Sequence, residues 1–288
     1  MHYAVMSFQT DFTMRPDDLA REVEGRGFES LWFPDHSHIP ASRRTPHPQG
    51  IELPKDYWHL LDPFACVNAA AAVTKKLKLG TGVLLVCERD PITTAKEVAT
   101  ADFLSNGRFL FGIGGGWNLE EMENHGTNPK TRWRLVRERV QSMKEIWTQP
   151  AAEYHGELVR FDPIWAEPKP VRKPHPPILL GGHGPKARQR VVDYCDGWIP
   201  IPGLHGEDIE SGIADLRERA KAAGRDPRSI ATTVFWAPTD RAMIDSWERA
   251  GVERVIFGLE AAERGVILAK LDELVRFVRS SGEPPSAE

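Results

Sequence analysis

The chain has 288 residues, 41% hydrophobic and 27% charged, with a formal net charge of −4 at neutral pH. That length suits one α/β barrel, the composition supplies a large core, and the mild acidity speaks against nucleic-acid binding through a global basic field. Three distant cysteines (Cys66, Cys87 and Cys195) make no C-x-x-C pair, the N-terminus shows no signal-peptide pattern, and no apolar run is long enough to span a bilayer, so a soluble cytoplasmic protein is expected.

Short apolar strands alternate with amphipathic helices along the whole chain. Tyr3–Phe8 reads as the first strand, and Pro16 opens a helix with Leu19 and Val23 on one face, stopped by Gly25 and Gly27. Phe28–Phe33 is the second strand. Residues 35–60, rich in Pro, His and Arg, are too long for a plain connection and form a candidate functional loop. Asp62-Pro63 begins a helix to about Val73, Leu77–Val86 is the third strand, and Asp90-Pro91 caps a helix to about Ser105. The fourth strand, Arg108–Ile113, runs into Gly114-Gly115-Gly116-Trp117-Asn118, then a short acidic helix (Leu119–Asn124) and a longer one (Thr131–Trp147). Glu153–Phe161 has the pattern of a hairpin. Ile178–Leu180, Gly197–Ile201, Ile230–Trp236 and Glu253–Gly258 complete eight strands, the last helix lies at about Arg264–Arg279, and 281–288 is expected to be a flexible tail.

Eight strand–helix units fit a (β/α)₈ TIM barrel, read as one domain over 1–280 with insertions after the second and fourth strands. A doubly wound open sheet is the alternative, but its glycine fingerprint belongs after the first strand, where Ser7–Met14 holds no glycine. In a barrel the chemistry gathers at the C-terminal strand ends, here near Phe8, Asp35-His36, Gly82–Val86, Gly114–Trp117, Gly181–Gly184, Pro200–Gly203 and Trp236.

Four of those ends carry a chemical signal. Gly181-Gly182-His183-Gly184 precedes Pro185, which opens a helix bearing Lys186, Arg188 and Arg190. Glycines admit a ligand to the backbone and a helix N-terminus attracts anions, so this is a phosphate site; a tight turn with a solvated basic face is the plain alternative. Gly80-Thr81-Gly82-Val83 marks either close approach to something flat or a bulge that only shapes the barrel. The four glycines within 112–116 suggest a loop shaped around a ring or ribityl chain, with Trp117 as pocket wall or packing aromatic. Asp35, His36 and His38 allow three readings: contact with a cofactor, a capping Asp beside solvated histidines, or a metal site needing further ligands. No nucleophile motif or metal spacing stands out, which assigns the chemistry to a bound cofactor.

Taken together, Ser30–His36, Leu79–Val83, Arg108–Asn118 with Glu121, Glu167–Pro170, Pro176–Gly184 and Asp196–Trp198 resemble the luciferase-like monooxygenase superfamily, and within it the oxidoreductases that use a deazaflavin, coenzyme F420. The resemblance implies a cofactor ring against a bulge with a non-prolyl cis bond at Gly82–Val83, flanked by Asp35 and His36 and by Gly114, Gly115 and Gly116. It places the phosphate on Gly181, Gly182, His183 and Gly184, with Lys186 on the following helix, and implies a homodimer. One departure matters: the sugar-phosphate dehydrogenase branch has a catalytic glutamate where this chain has Trp117, which favours a less polar, planar substrate.

The expected activity is hydride transfer between coenzyme F420 and a small organic substrate, aromatic or unsaturated. His36 would polarise substrate or relay a proton, Phe8, Trp117 and Trp236 would line the pocket, and the 35–60 insertion and the 153–161 hairpin would serve as lids. The alternative is a two-component monooxygenase using FMN and O₂ with a separate reductase. A groove of Lys169, Arg172, Lys173 and Lys186 would suit the longer anionic tail of the deazaflavin. A third reading is a non-redox barrel, either a sugar-phosphate isomerase or a cofactor-binding protein without turnover.

Overall fold

Apolar runs that alternate with amphipathic helices leave parallel strands covered on both faces, and the chain closes them into a cylinder. The computed structural model describes residues 1–280; the expected tail at 281–288 lies outside them. The strands are β1 (His2–Ser7), β2 (Ser30–Phe33), β3 (Lys78–Thr81), β4 (Leu84–Leu85), β5 (Phe109–Gly114), β6 (Ala152–His155), β7 (Arg160–Ile164), β8 (Ile178–Gly181), β9 (Gly197–Ile199), β10 (Ala231–Phe235) and β11 (Arg254–Leu259). The helices are α1 (Pro16–Gly25), α2 (Pro63–Val73), α3 (Pro91–Leu104), α4 (Leu119–Asn124), α5 (Arg132–Thr148), α6 (Gly184–Tyr194), α7 (Ile209–Ala222), α8 (Arg241–Ala250) and α9 (Arg264–Arg279).

The parallel order β3-β2-β1-β11-β10-β9-β8-β5 returns from β5 to β3, closing an eight-stranded barrel. β4 resumes the third strand beyond Gly82-Val83, pairing Leu84 with Ile113 of β5. The Gly82–Val83 peptide is cis, at the bond the resemblance implied. Two helix starts were legible because Asp-Pro encodes them: Asp62 accepts from the Ala65 amide at 2.9 Å and Asp90 from the Thr93 amide at 2.8 Å, each with proline in the first turn. β9 and β10 end earlier than expected. Pro200 has no N–H to extend β9, and Trp236 turns to φ +56, leaving the strand direction.

Inside the barrel, Ala4, Met6, Phe8, Trp32, Leu110, Leu179, Ile199, Phe235 and Ile256 form their own packed cluster. Trp32 fills the middle, and a methyl group at Gly80 would overlap its ring, so that glycine is required by the core. At the N-terminal end Arg254 closes the floor, donating to both oxygens of Glu29 at 2.7 Å and to Thr233 Oγ1 at 3.1 Å.

The β6–β7 hairpin is laid along α5. Glu138 accepts from the Leu158 and Val159 amides at 2.7 and 2.9 Å, and Arg134 pairs with Glu157 at 2.5 Å. The hairpin turn thus lies against the N-terminal half of that helix.

Candidate active site

The bulge and both glycine loops converge at the barrel mouth. A Cβ on Gly114 would lie 2.6 Å, and one on Gly181 3.3 Å, from the Val83 side chain, so Val83 is seated between the ends of β5 and β8. A Cβ on Gly115 would lie 2.7 Å from the Trp133 ring, and one on Gly112 would overlap the Thr81 carbonyl. Close backbone packing therefore accounts for these glycines before any ligand does.

His36 stands at the end of β2, its side chain 7% exposed, pinned from two sides. The Trp117 indole N–H donates to Nε2 at 3.2 Å, so that nitrogen carries the lone pair. Nδ1 therefore holds the proton and donates it to Glu121 Oε2 at 2.7 Å. Glu121 reaches this position from α4, whose N-cap Asn118 accepts from the Glu120 and Glu121 amides at 3.2 and 3.3 Å. The helix start thus fixes the carboxylate behind the imidazole. His38 turns away to Ser37 and Asn124 at 2.9 Å each, so the H-x-H pair does not converge. Among the described residues no group of three or more His, Cys, Asp or Glu is placed to hold a metal ion.

Asp35 is 4% exposed and its carboxylate is spent within the wall. It accepts from the Leu85 amide at 3.0 Å and from Arg89 at 2.9 and 3.1 Å. Its side chain supports the segment after the bulge. Nearby, Glu88 Oε1 and Glu121 Oε1 are buried with no hydrogen-bond partner. Burial, reinforced by the negative charges of Glu121 and Asp35, pushes the Glu88 carboxyl up to about 9.

The 35–60 insertion folds over the mouth and contributes two groups that no sequence motif marked, His47 and Tyr57. Tyr57 lies 5.1 Å from Phe8, 5.4 Å from His36, 5.5 Å from His47 and 6.3 Å from Trp117, ring centre to ring centre. Phe8 continues the aromatic surface to Trp236 at 6.2 Å. The three residues expected to line a pocket, Phe8, Trp117 and Trp236, are thus joined through Tyr57 into one aromatic cluster beside His36, here called the aromatic cage. The length and composition of the insertion pointed to this region, while the individual residues depend on contacts across the mouth.

At the end of β8 the glycine loop has the shape of a clamp. Gly184 adopts φ +71 with open space where a side chain would stand, and His183 has both ring nitrogens buried without partners. Burial lowers the His183 pKa, keeping the ring neutral. Lys186 is exposed on the first turn of α6. The loop also holds an internal anion: Glu207 accepts from the Gly184 amide at 2.5 Å and from Arg188, which pairs in addition with Asp215 at 2.6 Å. Arg190 stacks on Trp133 at 4.1 Å.

Residues 15–273 match the family described as luciferase-like monooxygenase. The chain belongs to that family. An uncharacterized protein of Mycobacterium tuberculosis is 41% identical over 265 residues, covering 90% of this chain and 92% of the relative. The FMNH₂-dependent dimethylsulfone monooxygenase of Pseudomonas putida is 32% identical over 160 residues, covering 54% of this chain and 44% of that enzyme. Among solved structures, an F420-dependent secondary alcohol dehydrogenase in complex with an F420-acetone adduct superposes with a TM-score of 0.71 at 19% identity, covering 96% of this chain and 99% of that one. That likeness is one of fold.

In this luciferase-like barrel the basic groove expected from Lys169, Arg172, Lys173 and Lys186 does not form. Lys169 donates to the Ile146 and Gln149 carbonyls at 2.7 and 2.8 Å, Lys173 to the Pro170 carbonyl at 2.8 Å, and the Arg172 amide to Asp102 at 2.8 Å. All three precede β8 and sit at its N-terminal end, away from Lys186 and the mouth, because a strand carries its two ends to opposite faces of the barrel.

Glu88 gives a direct stability test. Its carboxyl is protonated in the folded chain over a range where the unfolded chain, near the ordinary 4.5, has lost the proton. The folded state binds more protons there, so stability contributed by this site falls as pH rises from 4.5 towards about 9. Glu88→Gln is expected to remove that decline and to be more stable than the parent at about pH 8.5, with the difference vanishing at about pH 4. Urea unfolding across that range checks it, and a pH-independent difference contradicts the assignment.

Proposed function

We propose that the chain is an oxidoreductase that transfers hydride between the deazaflavin coenzyme F420 and a small organic substrate held in the aromatic cage. The observation that carries this reading is the Glu121–His36–Trp117 arrangement at the barrel mouth. Hydride transfer to or from a carbon bearing oxygen or nitrogen requires a proton to move on the heteroatom, and an imidazole with a fixed tautomer, its Nε2 lone pair free to pass from the Trp117 N–H to a substrate hydroxyl, is suited to handle it. Gly181, Gly182, His183, Gly184 and Lys186 would hold the phosphate. The orphaned His183 nitrogens and the space at Gly184 fit that use, provided Glu207 yields the Gly184 amide. Gly82, Val83, Gly114, Gly115 and Gly116 would form the surface against the ring. When bound, the deazaflavin supplies hydride chemistry; the protein binds it, excludes water through the 35–60 insertion and positions His36.

The FMN-dependent monooxygenase reading is supported by a separate observation. With Lys169, Arg172 and Lys173 remote from the mouth, the basic groove expected for the longer deazaflavin tail does not distinguish the two cofactors. Fluorescence titration with oxidised F420 and, separately, FMN tests the choice. F420 is expected to bind, and Gly182→Asp to abolish binding by placing a carboxylate in the clamp. Tight binding of FMN alone would transfer the assignment to the second reading, and binding of neither would overturn both.

A further inference from the structure

Tyr57 carries a hydrogen-bonding arrangement that the proposed reaction does not by itself call for. The Gln49 amide donates to His47 Nδ1 at 3.3 Å, so Nδ1 is the unprotonated nitrogen of that ring. The proton of the neutral imidazole is then on Nε2, which lies 3.1 Å from the Tyr57 hydroxyl and donates to it. This leaves the Tyr57 O–H proton uncommitted and free to be donated elsewhere. His47 is 7% exposed, and its pKa is lowered by burial and then by Arg43, which keeps the ring neutral and this orientation intact. Burial pushes the Tyr57 phenol up to about 12, so it remains a donor throughout the neutral range.

The ring environment says where that donor acts. Tyr57 is surrounded by the rings of Phe8, His36, His47 and Trp117, so its hydroxyl belongs to the cage above the strand ends. The His36 ring lies 5.4 Å from that of Tyr57, and its Nε2 lone pair is taken by the Trp117 N–H. The aromatic cluster therefore holds one hydroxyl donor, Tyr57, with its proton free.

We propose that Tyr57, oriented by His47, donates a hydrogen bond to an oxygen of the substrate, making the cage a subsite for a carbonyl or hydroxyl group on a planar or compact apolar frame. A carbonyl oxygen takes the Tyr57 bond alone. A hydroxyl can accept from Tyr57 and, where it displaces the Trp117 N–H, donate to His36. A polar donor left unpaired in such an enclosure penalises an isostere lacking the oxygen, so Tyr57 sets specificity as well as affinity. This rests on the proposed function only in taking the mouth as the substrate pocket.

The test uses two probes of nearly the same shape, acetophenone and α-methylstyrene, which differ by C=O against C=CH₂. Their dissociation constants are read from quenching of tryptophan fluorescence in the cofactor-free chain. The parent is expected to prefer acetophenone by about fivefold, the scale of one net hydrogen bond, and Tyr57→Phe to bring that ratio to about one while keeping the aromatic surface. His47→Leu should also reduce it, by freeing the hydroxyl to turn. A ratio near one in the parent, no acetophenone binding, or an unchanged ratio in Tyr57→Phe overturns the assignment. Cofactor titration of the same samples separates the two claims: lost cofactor binding with the preference intact sinks the function and leaves the subsite, and the reverse sinks the subsite alone.

Discussion

Arg254→Ala is expected to destabilise the chain by about 3 kcal/mol, the cost of leaving a buried carboxylate with only the half-buried Lys78 as its charged partner. Arg254 is 1% exposed and Glu29 9% exposed, and both bonds between them measure 2.7 Å. They lie at the floor of the barrel, where water cannot replace the lost contacts. Burial alone would raise the Glu29 pKa, but the hydrogen bonds and charge of Arg254, with Lys78 behind them, overcome it and hold the carboxyl at about 2. A depressed acid stabilises the folded state above its unfolded value of 4.5, and that contribution is lost as pH falls from there through about 2. The parent should lose stability over that window more steeply than Arg254→Ala. Urea midpoints at neutral and acidic pH measure both effects, and a neutral-pH loss below about 1 kcal/mol would show that the floor is hydrated or otherwise compensated. The double variant Arg254→Met/Glu29→Leu should recover most of the loss, since an apolar pair removes the desolvation penalty as well as the attraction.

The barrel was legible because its signals are local. Apolar runs mark the strands, Asp-Pro at 62–63 and 90–91 marks two helix starts, and glycine at the ends of β3, β5 and β8 marks the mouth. What the sequence could not show is which partner each side chain finds. Glycine at 112–116 suggests a ligand when read as a string, yet Thr81, Val83 and Trp133 from other segments occupy the space beside it. Basic residues at 169–173 look like part of the anion site because they precede the glycine loop, but a strand of four residues separates them from it. Arg188 and Glu207 form a bond only because the loop after β9 returns to α6. The same reasoning explains why Tyr57 and His47 were invisible as individuals: an insertion has no periodicity from which to read facing. His36 was read from the sequence as a residue of the mouth, as were Phe8, Trp117 and Trp236, while its contact with Glu121, 85 residues away, is a property of the closed barrel.

That contact makes the second large effect a pair of substitutions. His36→Ala is expected to lower kcat/KM for hydride transfer by about 10²–10⁴ while changing the cofactor dissociation constant little, because the imidazole handles the substrate proton and the glycine loops hold the cofactor. Substitution of Glu121 separates the held tautomer of His36 from mere presence of the ring. A glutamine keeps that arrangement, because its carbonyl oxygen can accept from Nδ1–H while Trp117 still donates to Nε2, so Glu121→Gln serves as the control. Glu121→Leu instead leaves Nδ1–H without an acceptor and frees the ring to turn or change tautomer. Activity should therefore fall by about tenfold or more in Glu121→Leu with His36 still present and much less in Glu121→Gln, and the His36 ring-nitrogen NMR signals should lose their fixed protonated and unprotonated signatures only in the leucine variant. A Glu121→Leu variant with full activity and an unchanged nitrogen spectrum would mean that Glu121 only packs within α4. Full activity in His36→Ala would remove proton handling from this side of the cage and leave Tyr57 as the remaining hydrogen-bond donor to the substrate oxygen.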